Sequence, residues 1–138
     1  EKLAEAIGEL FPVIELADAR VEGFPAVPPA AIVADLGFSE SLVMGKAVAD
    51  WRDIDLAQAR ATLSVNGEVI REGAGSAVLG YPLDALAQYV VERVNAGQPI
   101  AAGEIVSTGT WTAPHRGQAG ERIVADFGPL GRVEVELI

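Results

Sequence analysis

The sequence predicts a strand-rich α+β domain, with about eight short β segments and one main helix. Short runs rich in Val, Ile and Thr recur along the 138 residues, separated by Gly, Pro, Asn and Asp. Only the stretch after Pro82 keeps apolar residues at helical spacing over several turns. Half of the residues are apolar and 22% are charged, and no repeat or low-complexity tract interrupts them. That composition suits a single domain over residues 1–138 with a buried core.

Taken in order, residues 3–10 read as the end of a short helix, and "PVIEL" as a strand from Val13 to Leu16. "EGFPAVPPA" is rich in proline and reads as irregular. A short helix is expected near Ala30 to Asp35, and a short strand at "SLVMG". In "ATLSVNGEVIREG" the Asn66-Gly67 pair lies between two β-rich runs and accepts the positive φ angles of a tight hairpin. Pro82 suits a helix's first position, Leu83, Leu86, Ala87, Val90 and Val94 follow at its period, and Gly97 suits its stop. "EIVSTG", "RIVADF" and "RVEVELI" complete the strands.

The formal charge of −10, with no Lys/Arg cluster, opposes binding to nucleic acid or to an anionic membrane surface. No run is long enough to span a bilayer and no signal peptide is evident, and the absence of cysteine fits a reducing, cytoplasmic setting. With no cysteine there is no disulfide, thiol chemistry or thiolate-ligated metal. A single histidine also rules out a His-rich metal motif, so any ion here is a hard cation on oxygen ligands. The chain opens "EKLAEAIGEL", without Met or an entry strand, which reads as a fragment boundary or a processed start.

Gly73 and Gly75 match the start of a dinucleotide fingerprint, but its third position is Val78 and the preceding strand belongs to a hairpin. A Walker loop fails too, because Gly80-Tyr81-Pro82 replaces Gly-Lys-Ser/Thr. The phosphate-loop reading is therefore rejected in favour of glycines that relieve sterics in a strand-to-helix bend. His115, in a Pro/Gly-rich turn, is expected to face solvent. Strand alternation places Ile14 and Leu16 on one face and Val13, Glu15 and Ala17 on the other, so Glu15 either faces water or is buried with a partner. Asp18 and Arg20 are expected to form a local ion pair. The "STGTW" cluster, Ser107 to Trp111, suits either turn capping or a ligand carboxylate.

The ordered set "PVIELADARVEGF", "IVAD", "GEVIREGAGSAVLGYPLDALAQYV" and "AAGEIVSTGTWTAPHRGQAGERIVADFGPLGRVEVEL" resembles the 2-keto-4-pentenoate hydratase family. That family includes the 4-oxalocrotonate decarboxylases and lies within the fumarylacetoacetate hydrolase superfamily. The resemblance implies a mixed β-roll of the superfamily's C-terminal type and a divalent cation, Mg²⁺ or Mn²⁺, on three carboxylates. Glu15 matches one of them. The family's Glu-x-Glu pair and Gly-x-Lys stretch have no counterpart before Glu15, so the chain looks like the C-terminal part of such an enzyme. The resemblance further implies substrate positioning by Thr108, Gly109 and Thr110, and a weaker catalytic role for Asp35 in orienting water or a pocket group.

The implied substrate is a small 2-keto or 2-hydroxydienoic acid of aromatic catabolism, which is ketonised and hydrated or, in a decarboxylating relative, loses CO₂. The alternative is a non-catalytic module that has kept the fold for assembly. A homo-oligomer or association with a related subunit is expected in either case. Two departures stand out. Leu36, Gly37 and Phe38 replace the family's Asn-Ala-Ser after Val-Ala-Asp, and Tyr81 stands where many relatives have His.

Overall fold

The computed structural model describes residues 2–23 and 26–138. Glu1 lies outside the described residues, as do Phe24 and Pro25 of the stretch expected to be irregular. In chain order the elements are α1 (Lys2–Ala6), β1 (Val13–Ala17), α2 (Pro29–Ala34), β2 (Ser39–Met44), β3 (Arg60–Val65), β4 (Glu68–Ala74), α3 (Pro82–Asn95), β5 (Arg122–Asp126) and β6 (Arg132–Glu136). Short 3₁₀ turns cover Leu36–Phe38, Trp51–Asp53, Gly75–Ala77 and Gly128–Leu130. The architecture is the expected strand-rich α+β fold with one main helix, and every strand pairing among the described residues is antiparallel.

The hairpin forms where it is expected. Asn66 and Gly67 take φ of +51° and +89°, the doubly left-handed turn that matches the twist of its flanking strands. Asn66 also ties the hairpin to β5. Its N–H donates to the Arg122 carbonyl, and its Oδ1 accepts the Arg122 N–H, each at 2.9 Å. The resulting sheet has the order β4-β3-β5-β6, while β1 and β2 form a separate pair.

Alternation along β1 works as the sequence implies. Ile14 is buried and Leu16 half-buried against Ile123, Ala125 and Val133 of the larger sheet. Glu15 and Ala17 are exposed on the other face. A second core gathers Trp51, Leu56, Ala59 and Leu130, with Ala4, Ile7 and Leu10 of the N-terminal segment packed on it. The Trp111 and Phe127 rings meet edge-on beside it, with centroids 5.4 Å apart.

Helix α3 starts at Pro82, whose missing N–H costs nothing there. It closes with Gly97 at φ +71°, the Gly97 N–H donating to Val94 and the Gln98 N–H to Arg93. Two expectations are corrected. The first helix stops at Ala6, short of Leu10, and Gly8, a poor helix residue, lies just beyond it. "EIVSTG" forms no strand: it finds no sheet edge, and Gly103 (φ +86°) and Gly109 (φ +116°) turn the backbone at either end. Six strands result among the described residues.

Candidate functional site

A cleft of about 1430 Å³ runs between β1, one side of α3 and the irregular segment from Pro99 to His115. Glu15 lies on its wall, and pairing with Leu42 of β2 fixes its backbone. Thr108, Gly109 and Thr110 line the same cleft. Of the residues expected to act, these four therefore share one cavity.

The Thr108–Thr110 segment is set in place by the glycine run. At Gly73 a Cβ would stand 1.8 Å from the Trp111 carbonyl oxygen, and at Gly75 a Cβ would stand 1.9 Å from that of Leu56. Each glycine admits a neighbouring backbone where no side chain fits. The first brings the segment around Trp111 onto β4. The second brings the Leu56 loop onto the entry to α3. Thr110 Oγ1 donates to the Thr112 carbonyl at 2.9 Å, a local turn bond of the kind that is one of the two roles left open for this cluster. The Thr108 hydroxyl makes no such bond among the described residues, and Thr108 lines the cleft.

Asp35 lies elsewhere. It is buried, is absent from the cleft wall, and is held by Arg20. The Arg20 backbone N–H donates to Asp35 Oδ2 at 2.8 Å, and its Nε donates to Oδ1. The remaining guanidinium nitrogens bind Glu40 Oε2 at 2.7 Å and the Asp35 and Ser39 carbonyls at 3.1 Å. Arg20 thus joins Asp35 and Glu40 instead of the adjacent Asp18. Its side-chain hydrogen bond holds the Asp35 carboxyl below the usual range; burial works against this and the Arg20 backbone N–H adds to it. With both oxygens engaged, Asp35 anchors the segment that follows β1. Leu36, Gly37 and Phe38 then run left-handed in succession, at φ of 53°, 69° and 65°.

His115 departs from the solvent-facing expectation. It is half-buried on the cleft wall, and its Nε2 lies 2.8 Å from Glu121 Oε2. The His115 hydrogen bond draws the Glu121 carboxyl below its usual range, and the Gln118 backbone N–H assists at 2.9 Å. No local sequence pattern signals this pair, because an irregular Gly-rich turn brings residues six apart together.

The donor set for a divalent ion is incomplete. No three His, Asp or Glu among the described residues converge closely enough to hold a metal. The chain's one Glu-x-Glu, Glu134 and Glu136 on β6, is no substitute, since Arg122 and Arg132 hold Glu134. Glu15 by itself does not constitute an Mg²⁺ site, because that ion demands an octahedral shell and releases water reluctantly. The Trp51 indole N–H, also on the cleft wall, is buried without an acceptor among the described residues, at a cost of about 1–3 kcal/mol.

The family model for the fumarylacetoacetate (FAA) hydrolase C-terminal domain matches residues 2–138. A 4-oxalocrotonate decarboxylase of Pseudomonas putida is 32% identical over 96% of this chain and 50% of its own length. A 2-keto-4-pentenoate hydratase of Burkholderia vietnamiensis is 36% identical over 95% of this chain and 50% of its own. Among solved structures, 4-oxalocrotonate decarboxylase from Pseudomonas putida G7, complexed with magnesium and adipate, superposes with a TM-score of 0.87 at 32% identity. That match covers 94% of this chain and 49% of the other. The same enzyme complexed with calcium and acetate gives a TM-score of 0.83. The chain thus spans about half the length of the relatives it matches.

Proposed function

The chain belongs to the fumarylacetoacetate hydrolase family, and we propose that it forms part of the active unit of a divalent-metal-dependent hydratase acting on a 2-hydroxydienoate or 2-keto-enoic acid. The observation that supports this reading is Glu15, strand-fixed on the wall of a cleft that also carries Thr108–Thr110. In this reading residues 1–138 are a single domain, Glu15 supplies one carboxylate to an Mg²⁺ or Mn²⁺ site, and the remaining ligands come from outside the described residues. The Thr108 hydroxyl and the backbone around Gly109 orient the acid's oxygens. Asp35, expected to orient water or a pocket group, would contribute at a distance instead, by anchoring Arg20, which also binds Glu40 and Ser39 of β2. The setting is cytoplasmic, and the unit completes itself as a homo-oligomer or with a related subunit.

Decarboxylation of a 2-oxo acid is the second reading, favoured by the structural likeness to the decarboxylase. A non-catalytic assembly module is the third, favoured by the incomplete donor set.

The test is an ultraviolet assay for loss of 2-hydroxypenta-2,4-dienoate with Mg²⁺ or Mn²⁺, run on this chain and on Glu15→Ala. Turnover that disappears with the substitution supports a hydratase assembled on this chain. If turnover appears only after adding a segment that bears Glu-x-Glu and Gly-x-Lys, the divided unit is supported. No turnover in either case leaves the module. By calorimetry the chain alone is expected to bind Mg²⁺ no more tightly than on the order of millimolar, and micromolar affinity would refute the incomplete-site account.

A further inference from the structure

Residues Glu104–Thr108 carry the marks of a strand except for a partner. Ile105, Val106 and Thr108 favour extended backbone, and the run is straight between the left-handed Gly103 and Gly109. Exposure alternates with the period of a strand: Ile105, Ser107 and Gly109 are exposed, whereas Val106 and Thr108 are half-buried. Yet no hydrogen bond reaches the backbone of Ile105–Thr108 from either side among the described residues. The run also lacks the devices that keep a strand edge from pairing. It holds no proline, and its only charge, Glu104, stands at its first position, 3.9 Å from Arg93.

The run lines the cleft together with β1, which pairs with β2 on one side and with no strand on the other among the described residues. At about 1430 Å³ the cleft is larger than the roughly 300–1,000 Å³ of a small-ligand pocket, so a small acid leaves room in it for further polypeptide.

Resting on the divided-unit reading above, we propose that Glu104–Thr108 is a docking strand: an extended segment of the polypeptide that completes the active unit pairs with it through main-chain hydrogen bonds. Two observations favour that partner. The chain spans about half the length of its relatives, so in this reading a comparable share of the fold comes from outside residues 1–138. A second copy of the same chain would bring another charge of −10 against the first. Five residues of strand extend about 17 Å, and their alternate N–H and C=O groups present a ladder to an incoming strand. Main-chain bonds supply the attachment, and the side chains at alternate positions set the register. The same pairing would hold Thr108, which is otherwise seated only by the contact of Gly73 with Trp111 further along the segment.

The test is amide hydrogen exchange by NMR on the full chain. It is measured alone at two concentrations, and co-expressed with the part of the Pseudomonas putida 4-oxalocrotonate decarboxylase that lies outside the match. In the chain alone the Ile105–Thr108 amides are expected to exchange at open-chain rates while those of β3 and β5 are protected. In the complex either Ile105 and Ser107 or Val106 and Thr108 are expected to slow at least about tenfold, because neighbouring N–H groups of a strand point to opposite edges. A complex without this alternate protection would overturn the strand pairing and leave the divided unit standing. Protection that appears in the chain alone as its concentration rises would assign the edge to a second copy and overturn the choice of partner. If no complex forms, the divided unit fails and the pairing fails with it.

Discussion

Replacing Gly73 by alanine tests the contact that seats the Thr108–Thr110 segment. The added Cβ would stand 1.8 Å from the Trp111 carbonyl oxygen, 2.7 Å from its carbon and 3.3 Å from Thr112 Cα. Real Cβ contacts essentially never fall below 3.0 Å, so the two backbones must part by about 1.2 Å. Neither side yields easily, since β4 is paired with β3 through Ala61 and the Trp111 ring is packed on Phe127. Overpacking of this kind costs about 1–3 kcal/mol, and a clash between two backbones belongs at the upper end. For a domain of this size that lowers the melting temperature by about 10 °C. Thermal unfolding followed by circular dichroism measures it, with Gly8→Ala as the control. A Cβ at Gly8 would meet no atom within 4 Å and the residue has no left-handed φ, so its substitution is expected to be neutral or mildly stabilising. A Gly73→Ala melting point within about 2 °C of wild type would refute the close approach and the seating role derived from it.

Leu36→Asn is expected to stabilise by about 0.5–1 kcal/mol, read from urea unfolding. Leu36 is 78% exposed and left-handed at φ 53°, so asparagine eases the backbone while little packing is lost. The depressed folded-state values of Asp35 and Glu121 mean that their contribution to stability is fully present above the ordinary carboxylate range. It is lost as pH falls through the folded values, so acid unfolding of Asp35→Asn should show a weaker pH dependence below about pH 4. An unchanged profile would mean that the Arg20 bond does not hold in solution. His115→Ala removes the largest cause of the Glu121 shift, so a carbon-detected NMR titration should find that carboxyl moved back up toward its ordinary range. No upward movement would refute the pairing.

The parts of the fold written in neighbouring residues are legible in the sequence. Asn66-Gly67 sets its own turn through φ, Pro82 and Gly97 bracket α3, and the period of two along β1 puts Ile14 inside and Glu15 out. "EIVSTG" shows where this kind of reading stops. Its residues favour extended backbone as much as those of β5 do, but a strand also needs a partner edge, and propensity carries no information about one. The site divides along the same line. Glu15 and the Thr108–Thr110 cluster are singled out by the family resemblance, since residue type alone leaves Glu15 facing water or buried with a partner and the cluster capping a turn or binding a ligand. The bonds that position the surroundings join Arg20 to Asp35 fifteen residues away and His115 to Glu121 across an irregular turn, so they depend on the tertiary path of the chain. The glycine run reads as steric relief from its spacing alone, whereas the backbones it makes room for, those of Trp111 and Leu56, become visible only in three dimensions.

The order β4-β3-β5-β6 leaves β4 and β6 as the two rims of the larger sheet, with no further strand paired to either among the described residues. Both rims carry exposed charge: Glu68, Arg71 and Glu72 along β4, and Arg132, Glu134 and Glu136 along β6. A strand arriving from another molecule would have to set its side chains against these charges to extend the ladder, which is how natural sheets resist uncontrolled growth. Fibre-like stacking through the sheet is therefore disfavoured at both of its ends.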